Sequence, residues 1–111
     1  MNFNVIPTER FRKEVKRLIK KYPSLKSDLL ALNKQLLINP RLGTALGNSC
    51  YKIRLAIKSK GQGKSGGGRV ITYFISEAKS IYLLTIYDKS EFEAIDDQTL
   101  KYIITSIKRK N

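Results

Sequence analysis

The chain has 111 residues, with 22 Lys and Arg against 9 Asp and Glu, and a formal charge of +13. Its length suits one compact domain with a modest core, and 41% hydrophobic content favours folding over disorder. No apolar run reaches the roughly 20 residues needed to span a bilayer, and the absence of histidine with a single cysteine argues against a zinc site and rules out an intrachain disulfide.

So large a charge on so small a domain calls for a negative partner: nucleic acid, an acidic protein segment or an anionic surface. The opening residues MNFNVIPTERF show no basic stretch followed by an apolar one, so no signal peptide is expected. Lone Cys50 fits a reducing cytoplasm. Any chemistry must rest on Lys, Arg, Tyr or carboxylates, and no cofactor or metal is expected.

Phe3 and Val5 alternate with Asn2 and Asn4, which predicts a short opening strand before Pro7. Thr8 is a candidate N-cap for a basic amphipathic helix carrying Phe11, Val15, Leu18, Ile19 and Tyr22 on one face. Ser24 is placed to cap a second helix, whose stripe is Leu25, Leu29, Leu32 and Leu36, widened by Leu30 and Leu37. Pro40 stops it, because the residue before proline is pushed out of helical geometry. The two helices make a hairpin.

Residues 41–49 read as a loop. From Cys50 the period becomes two: Tyr51, Ile53, Leu55 and Ile57 on one face, Lys52, Arg54, Ala56 and Lys58 on the other. A glycine loop follows, then strands over 70–75 and 81–87, which predicts an antiparallel meander. Ser90 and Glu93 have capping-box spacing. Asp96 or Asp97 can cap a last helix with Leu100, Ile103, Ile104 and Ile107, ending in Lys108, Arg109 and Lys110. The expectation is a single α+β domain over residues 1–111: a small antiparallel sheet, an N-terminal helical hairpin and a C-terminal helix.

The most informative stretch is KIRLAIKSKGQGKSGGGR at 52–69, with six cations, inside a window from Leu29 to Ser76 that holds no acid. Its GKS triplet is not a P-loop, because Lys58 stands where such a loop needs glycine and because the loop joins two strands. A plain hairpin loop explains the glycines but not Lys58, Lys60 and Lys64 among them. A basic loop closing on a phosphodiester explains both. Arg54, Arg69 and Lys89 can converge in a meander, and convergence of like charges without an anion is unfavourable. Tyr87, beside these cations, can aim its hydroxyl at a phosphate or a ribose. Tyr73 and Tyr82 read as packing residues, and so does Tyr51 before any role in base stacking. The basic face of the first helix reads as solvated.

CYKIRL at 50–55, GQGKSGGGRVITYF at 61–74 and IYLLTIYDKSE at 81–91 together resemble the RelE/ParE superfamily of bacterial toxins. The basic strand, glycine–lysine loop and Y-L-L-T-x-Y-x-K ending are similar to its HigB-like branch. The resemblance implies a microbial RNase-like fold with a twisted antiparallel sheet. It also implies a metal-independent, ribosome-dependent mRNA endonuclease that inhibits translation and is neutralised by a cognate antitoxin. Carried over by position, Lys52, Arg54, Arg69, Tyr87 and Lys89 would form the catalytic set, and Lys58, Lys60 and Lys64 would bind RNA. Arg54 and Arg69 would hold phosphate, Lys52 or Lys89 would act as base, and Tyr87 would position the nucleophile. Ser90 departs from an arginine in the RelE branch, and Tyr102 is out of register with that branch's tyrosine near the C-terminal helix. Two alternatives stay open: a ParE-like inhibitor of DNA gyrase without catalysis, and a basic ribosome- or RNA-binding module without turnover.

Overall fold

The computed structural model describes residues 3–91 and 94–110, with side chains up to residue 107. Strand β1 (Asn4–Pro7) leads into helices α1 (Glu9–Lys21) and α2 (Leu25–Ile38). A short β2 (Thr44–Gly47) forms a hairpin with β3 (Cys50–Leu55). A 3-10 turn at Lys58–Lys60 and the single-turn helix α3 (Gly63–Gly66) occupy the glycine-rich connection. Strands β4 (Gly68–Ile75) and β5 (Ser80–Asp88) and helix α4 (Asp97–Lys110) complete the chain. Among the described residues no helix is long and apolar enough to cross a membrane.

The sheet runs β1-β5-β4-β3-β2. Strands β3, β4 and β5 form the expected antiparallel meander and β2 extends it antiparallel to β3, but β1 lies parallel to β5, with Asn4 opposite Ser80 and Pro7 opposite Leu83, so the sheet is mixed. Side-chain alternation carries no information on strand direction, which is why the opening strand was read into an antiparallel sheet. β2 was missed because all four of its residues are exposed and show no alternation. Asn48 and Ser49 join it to β3, with φ of 53° and 63°, the paired positive values of a tight hairpin turn that follows the sheet's twist.

Two apolar clusters hold the layers together. Phe11, Leu18, Leu25, Leu32 and Leu36 of α1 and α2 pack on Ile53, Leu55, Val70, Phe74, Leu83 and Ile86. On the opposite face, Leu100, Ile103, Ile104 and Ile107 of α4 cover Cys50, Ile71, Tyr73 and Leu84. The helical periodicities were therefore read correctly, except that Leu30 and Leu37 turn to solvent. An irregularity between Ile71 and Thr72 pairs Ile71 with Thr85 but Thr72 with Leu83. It leaves Leu84 as the extra residue, facing α4.

The caps divide. The Thr8 hydroxyl accepts from the Phe11 amide at 3.2 Å and donates to the Leu83 carbonyl at 3.0 Å, tying the start of α1 to β5. Asp96, not Asp97, caps α4, accepting from the Thr99 amide at 2.7 Å. Ser24 does not cap α2. Its hydroxyl donates to the Asp28 carboxylate at 2.7 Å and accepts from the Ser59 amide at 2.8 Å, so it links a side chain of α2 to a distant loop instead of accepting from a first-turn amide. Asn2, Glu93 and the side chains of Lys108, Arg109 and Lys110 lie outside the described residues.

Candidate nucleic-acid interface

Antiparallel pairing sets the site. Arg54 stands opposite Arg69, and Arg69 opposite Tyr87, so three strands deliver one lateral row. One step along, Lys52 stands opposite Ile71, and Ile71 opposite Thr85. Because the period is two, Lys52, Arg54, Arg69 and Tyr87 share the sheet face that α4 covers farther along.

Exposure divides this set. Arg54 is open to solvent and Lys52 is half-buried, whereas Arg69 and Tyr87 are only 4% and 5% exposed. The Arg69 guanidinium donates to the carbonyls of Lys64 at 2.9 Å, Gly68 at 3.0 Å and Ser65 at 3.1 Å. It clamps the turn of α3 over the sheet and keeps two of its five N–H donors for other partners. Burial raises the Tyr87 phenol above its ordinary pKa, while the Arg69 charge and the Ile95 amide pull it back. A phenol so placed suits hydrogen bonding better than proton abstraction.

The remaining expected cations separate as well. A groove of about 440 Å³ opens between α2 and the part of β3 that extends past β2, and its lining includes Lys52, Arg54, Lys58 and Lys64. Leu32, Leu42 and Leu55 contribute apolar surface. The carboxylate in the lining, Asp28, is 5% exposed and is occupied by the Ser24 hydroxyl and, at 3.2 Å, by the Lys58 amide. The groove is therefore cationic at its rim. Lys89 lies half-buried beyond the strand end, its amide donating to the Gly67 carbonyl at 3.0 Å. A larger cavity, about 610 Å³, sits elsewhere between α1 and α4; Glu9 and Glu14 share its rim with Arg10 and Lys13, so it has no comparable charge.

Lys60 turns away from the groove. Its ammonium lies 2.5 Å from Asp88, and their side chains are 9% and 0% exposed. Tyr22 donates to the other Asp88 oxygen at 2.5 Å, and Ser90 donates through its amide and hydroxyl at 3.0 and 2.8 Å. Burial alone would raise the Asp88 carboxyl; the donors Lys60, Tyr22 and Ser90 outweigh it and hold the carboxyl well below the usual range. The bond to Asp88 and burial raise the Tyr22 phenol in turn. Asp88 is not among the candidate residues read from the sequence. Its signal was a single acid closing an apolar strand among cations.

Glu14 was also missed. It reaches from α1 to the end of β5, accepting from the Thr85 hydroxyl at 2.7 Å and the Ile86 amide at 3.2 Å. β1 stops pairing at Leu83, so this carboxylate serves the stretch of β5 that the first strand leaves uncovered. Burial raises its pKa, and the bonds from Thr85 and Ile86 and the charge of Arg10 partly restore it.

No protein-family model matches the sequence. Among solved structures, the chain is similar to E. coli toxin RelE. A doubly arginine-substituted form in the free state superposes with a TM-score of 0.61 and 22% identity, over 84% of this chain and 90% of that one. The isolated toxin gives 0.60 and 20%, over 96% and 99%. The toxin–antitoxin complex RelBE gives 0.59 and 21%, over 78% and 96%. From end to end, with helices on both faces of a five-stranded sheet, this chain has the fold of the RelE toxin.

Proposed function

We propose that the chain is the toxin of a toxin–antitoxin pair and that it inhibits translation by cutting mRNA on the ribosome. One observation carries this reading: on a RelE fold, the Arg54–Arg69–Tyr87 row adjoins a groove rimmed by Lys52, Arg54, Lys58 and Lys64. A phosphodiester is the anion that suits a line of cations at strand spacing beside an apolar floor.

In the reaction, a ribose 2′-oxygen attacks the adjacent phosphorus, its proton passes to a base, and the 5′-oxygen leaves with a proton, giving a 2′,3′-cyclic phosphate. Arg54 and the two remaining donors of Arg69 stabilise the charge that develops on the phosphoryl oxygens, which is commonly the largest catalytic contribution. Lys52 or Lys89 takes the proton as general base. Tyr87, buried beside Arg69, positions the nucleophile indirectly by backing the row from beneath. Lys58 and Lys64 follow the flanking backbone. With no histidine present, such a site is weak on free RNA, and the ribosome supplies the strained geometry of the message. A cognate antitoxin with an acidic segment neutralises the basic face. The substrate places the toxin in the cytoplasm.

The test is 5′-end mapping of a message translated in a bacterial cell-free system, with wild type, Arg69→Ala, and the same RNA without ribosomes. New ends that require both ribosomes and wild type are expected. Unaffected translation without cuts would point to a gyrase-directed inhibitor, and blocked translation without cuts to a ribosome-binding module.

A further inference from the structure

We propose that Lys60 is a positioning residue: through Asp88 it fixes the 58–66 loop that presents Lys58 and Lys64, and it does not itself touch RNA. This deepens, and rests on, the reading of the basic groove as an RNA track.

Within 58–66 no residue is buried as a whole, although the side chain of Lys60 is drawn inside. The loop has no apolar anchor of its own, so polar bonds must hold it. At its start the Lys58 amide donates to Asp28 at 3.2 Å, and the Ser59 amide to the Ser24 hydroxyl at 2.8 Å. At its far end Arg69 grips the carbonyls of Lys64 and Ser65. Between these points the Lys60 side chain reaches inward to Asp88, and Gly61 and Gly63, with φ of 74° and 62°, let the backbone reverse around it. Asp88 is in turn held by Tyr22 at the end of α1 and by Ser90. One carboxylate thus joins the loop, the helical hairpin and the strand that carries Tyr87.

Lys60 and Lys64 differ in what a phosphate would meet. Lys64 is exposed on the groove rim. The charge of Lys60 is already matched inside the protein, and drawing it out would leave Asp88 buried and uncompensated, which is strongly unfavourable. A loop fixed beforehand also spares RNA binding the entropy of ordering it.

The test compares Lys60→Met, Asp88→Asn and Lys64→Met in two measurements: the salt dependence of oligouridylate affinity, and amide hydrogen exchange across 58–66. Loss of a phosphate contact on single-stranded RNA reduces the logarithmic salt slope by about 0.7. Lys64→Met is expected to show that reduction with the loop's exchange unchanged. Lys60→Met is expected to keep the slope while loop amides exchange about 10-fold faster, an opening shift of about 1.4 kcal/mol by the tenfold relation. Asp88→Asn keeps one acceptor oxygen for Ser90, turns an amide N–H toward Tyr22 and removes the charge that pairs Lys60; it is expected to speed exchange in the same way without lowering the slope, and it decides the matter if Lys60→Met does not fold. A slope reduced by Lys60→Met with exchange unchanged would overturn the assignment. If wild type does not bind oligouridylate, the RNA reading falls; exchange unchanged in both Lys60→Met and Asp88→Asn would then overturn the positioning role on its own.

Discussion

Replacing Tyr22 with phenylalanine removes one hydroxyl and leaves the ring in the core. That hydroxyl donates to Asp88 at 2.5 Å, where Tyr22 is 7% exposed and Asp88 fully buried. Water cannot readily replace it, so the variant loses a hydrogen bond to a charged group, worth about 1.5–3 kcal/mol. For a domain of this size, about 2 kcal/mol lowers the melting temperature by roughly 10 °C. The loss has a pH signature. The Asp88 carboxyl is depressed in the folded protein, so its contribution is fully present above the unfolded value of about 4 and fades as pH falls toward the folded one. Removing a donor brings the folded value closer to the ordinary one. The gap between wild-type and variant stabilities should therefore stay constant from neutral pH to about pH 4 and close only below it, as pH falls through the two folded-state values. Urea unfolding at a series of pH values measures both. A loss under about 0.5 kcal/mol, smaller than a typical net hydrogen bond, or a gap that already closes above about pH 4, would refute the view of Asp88 as an ionised hub.

Glu14 should behave in the opposite sense. Its carboxyl is raised by burial, so its favourable contribution is present at low pH and lost as pH rises through the folded value. Glu14→Gln keeps an acceptor for Thr85 and Ile86; at pH 7 it should unfold no more easily than wild type, and at pH 4 it should show no advantage. Gly67→Ala would bring a Cβ to 2.1 Å from the Leu55 carbonyl oxygen, and the backbone shift this forces should cost about 3 kcal/mol, read by denaturant melts. Arg54→Gln removes an exposed cation of the row and should lower the salt slope of RNA binding by about 0.7 without loss of stability; an unchanged slope would remove Arg54 from the RNA contacts.

Where apolar spacing dictated structure, the sequence was legible. α1, α2 and α4 follow their stripes, and β3 to β5 their alternation, because each buries one face against another layer. The meander brings Arg54 and Arg69 together by strand register, but the place beside Arg69 that was read for Lys89 falls to Tyr87, because β5 ends at Asp88. What escaped was decided by single polar groups meeting across long separations. Lys60 and Asp88 are 28 residues apart, and Tyr22 and Asp88 are 66 apart. Nothing local distinguishes a lysine that will find a buried carboxylate from one that will not. The glycine-rich connection looked open for the same reason: its order comes from Asp28, Asp88 and Arg69, all outside it.

The position of β1 has a consequence for how the molecule is made. The first strand takes its place only against residues 80–83, so a chain emerging from a ribosome must hold its beginning in reserve until most of it has been synthesised. The row at Arg54 and Arg69 waits for the same strand, because Tyr87 lies on it. An unfinished copy therefore carries much of the positive charge but not the assembled row, and the arrival of β5 completes the sheet and the site together.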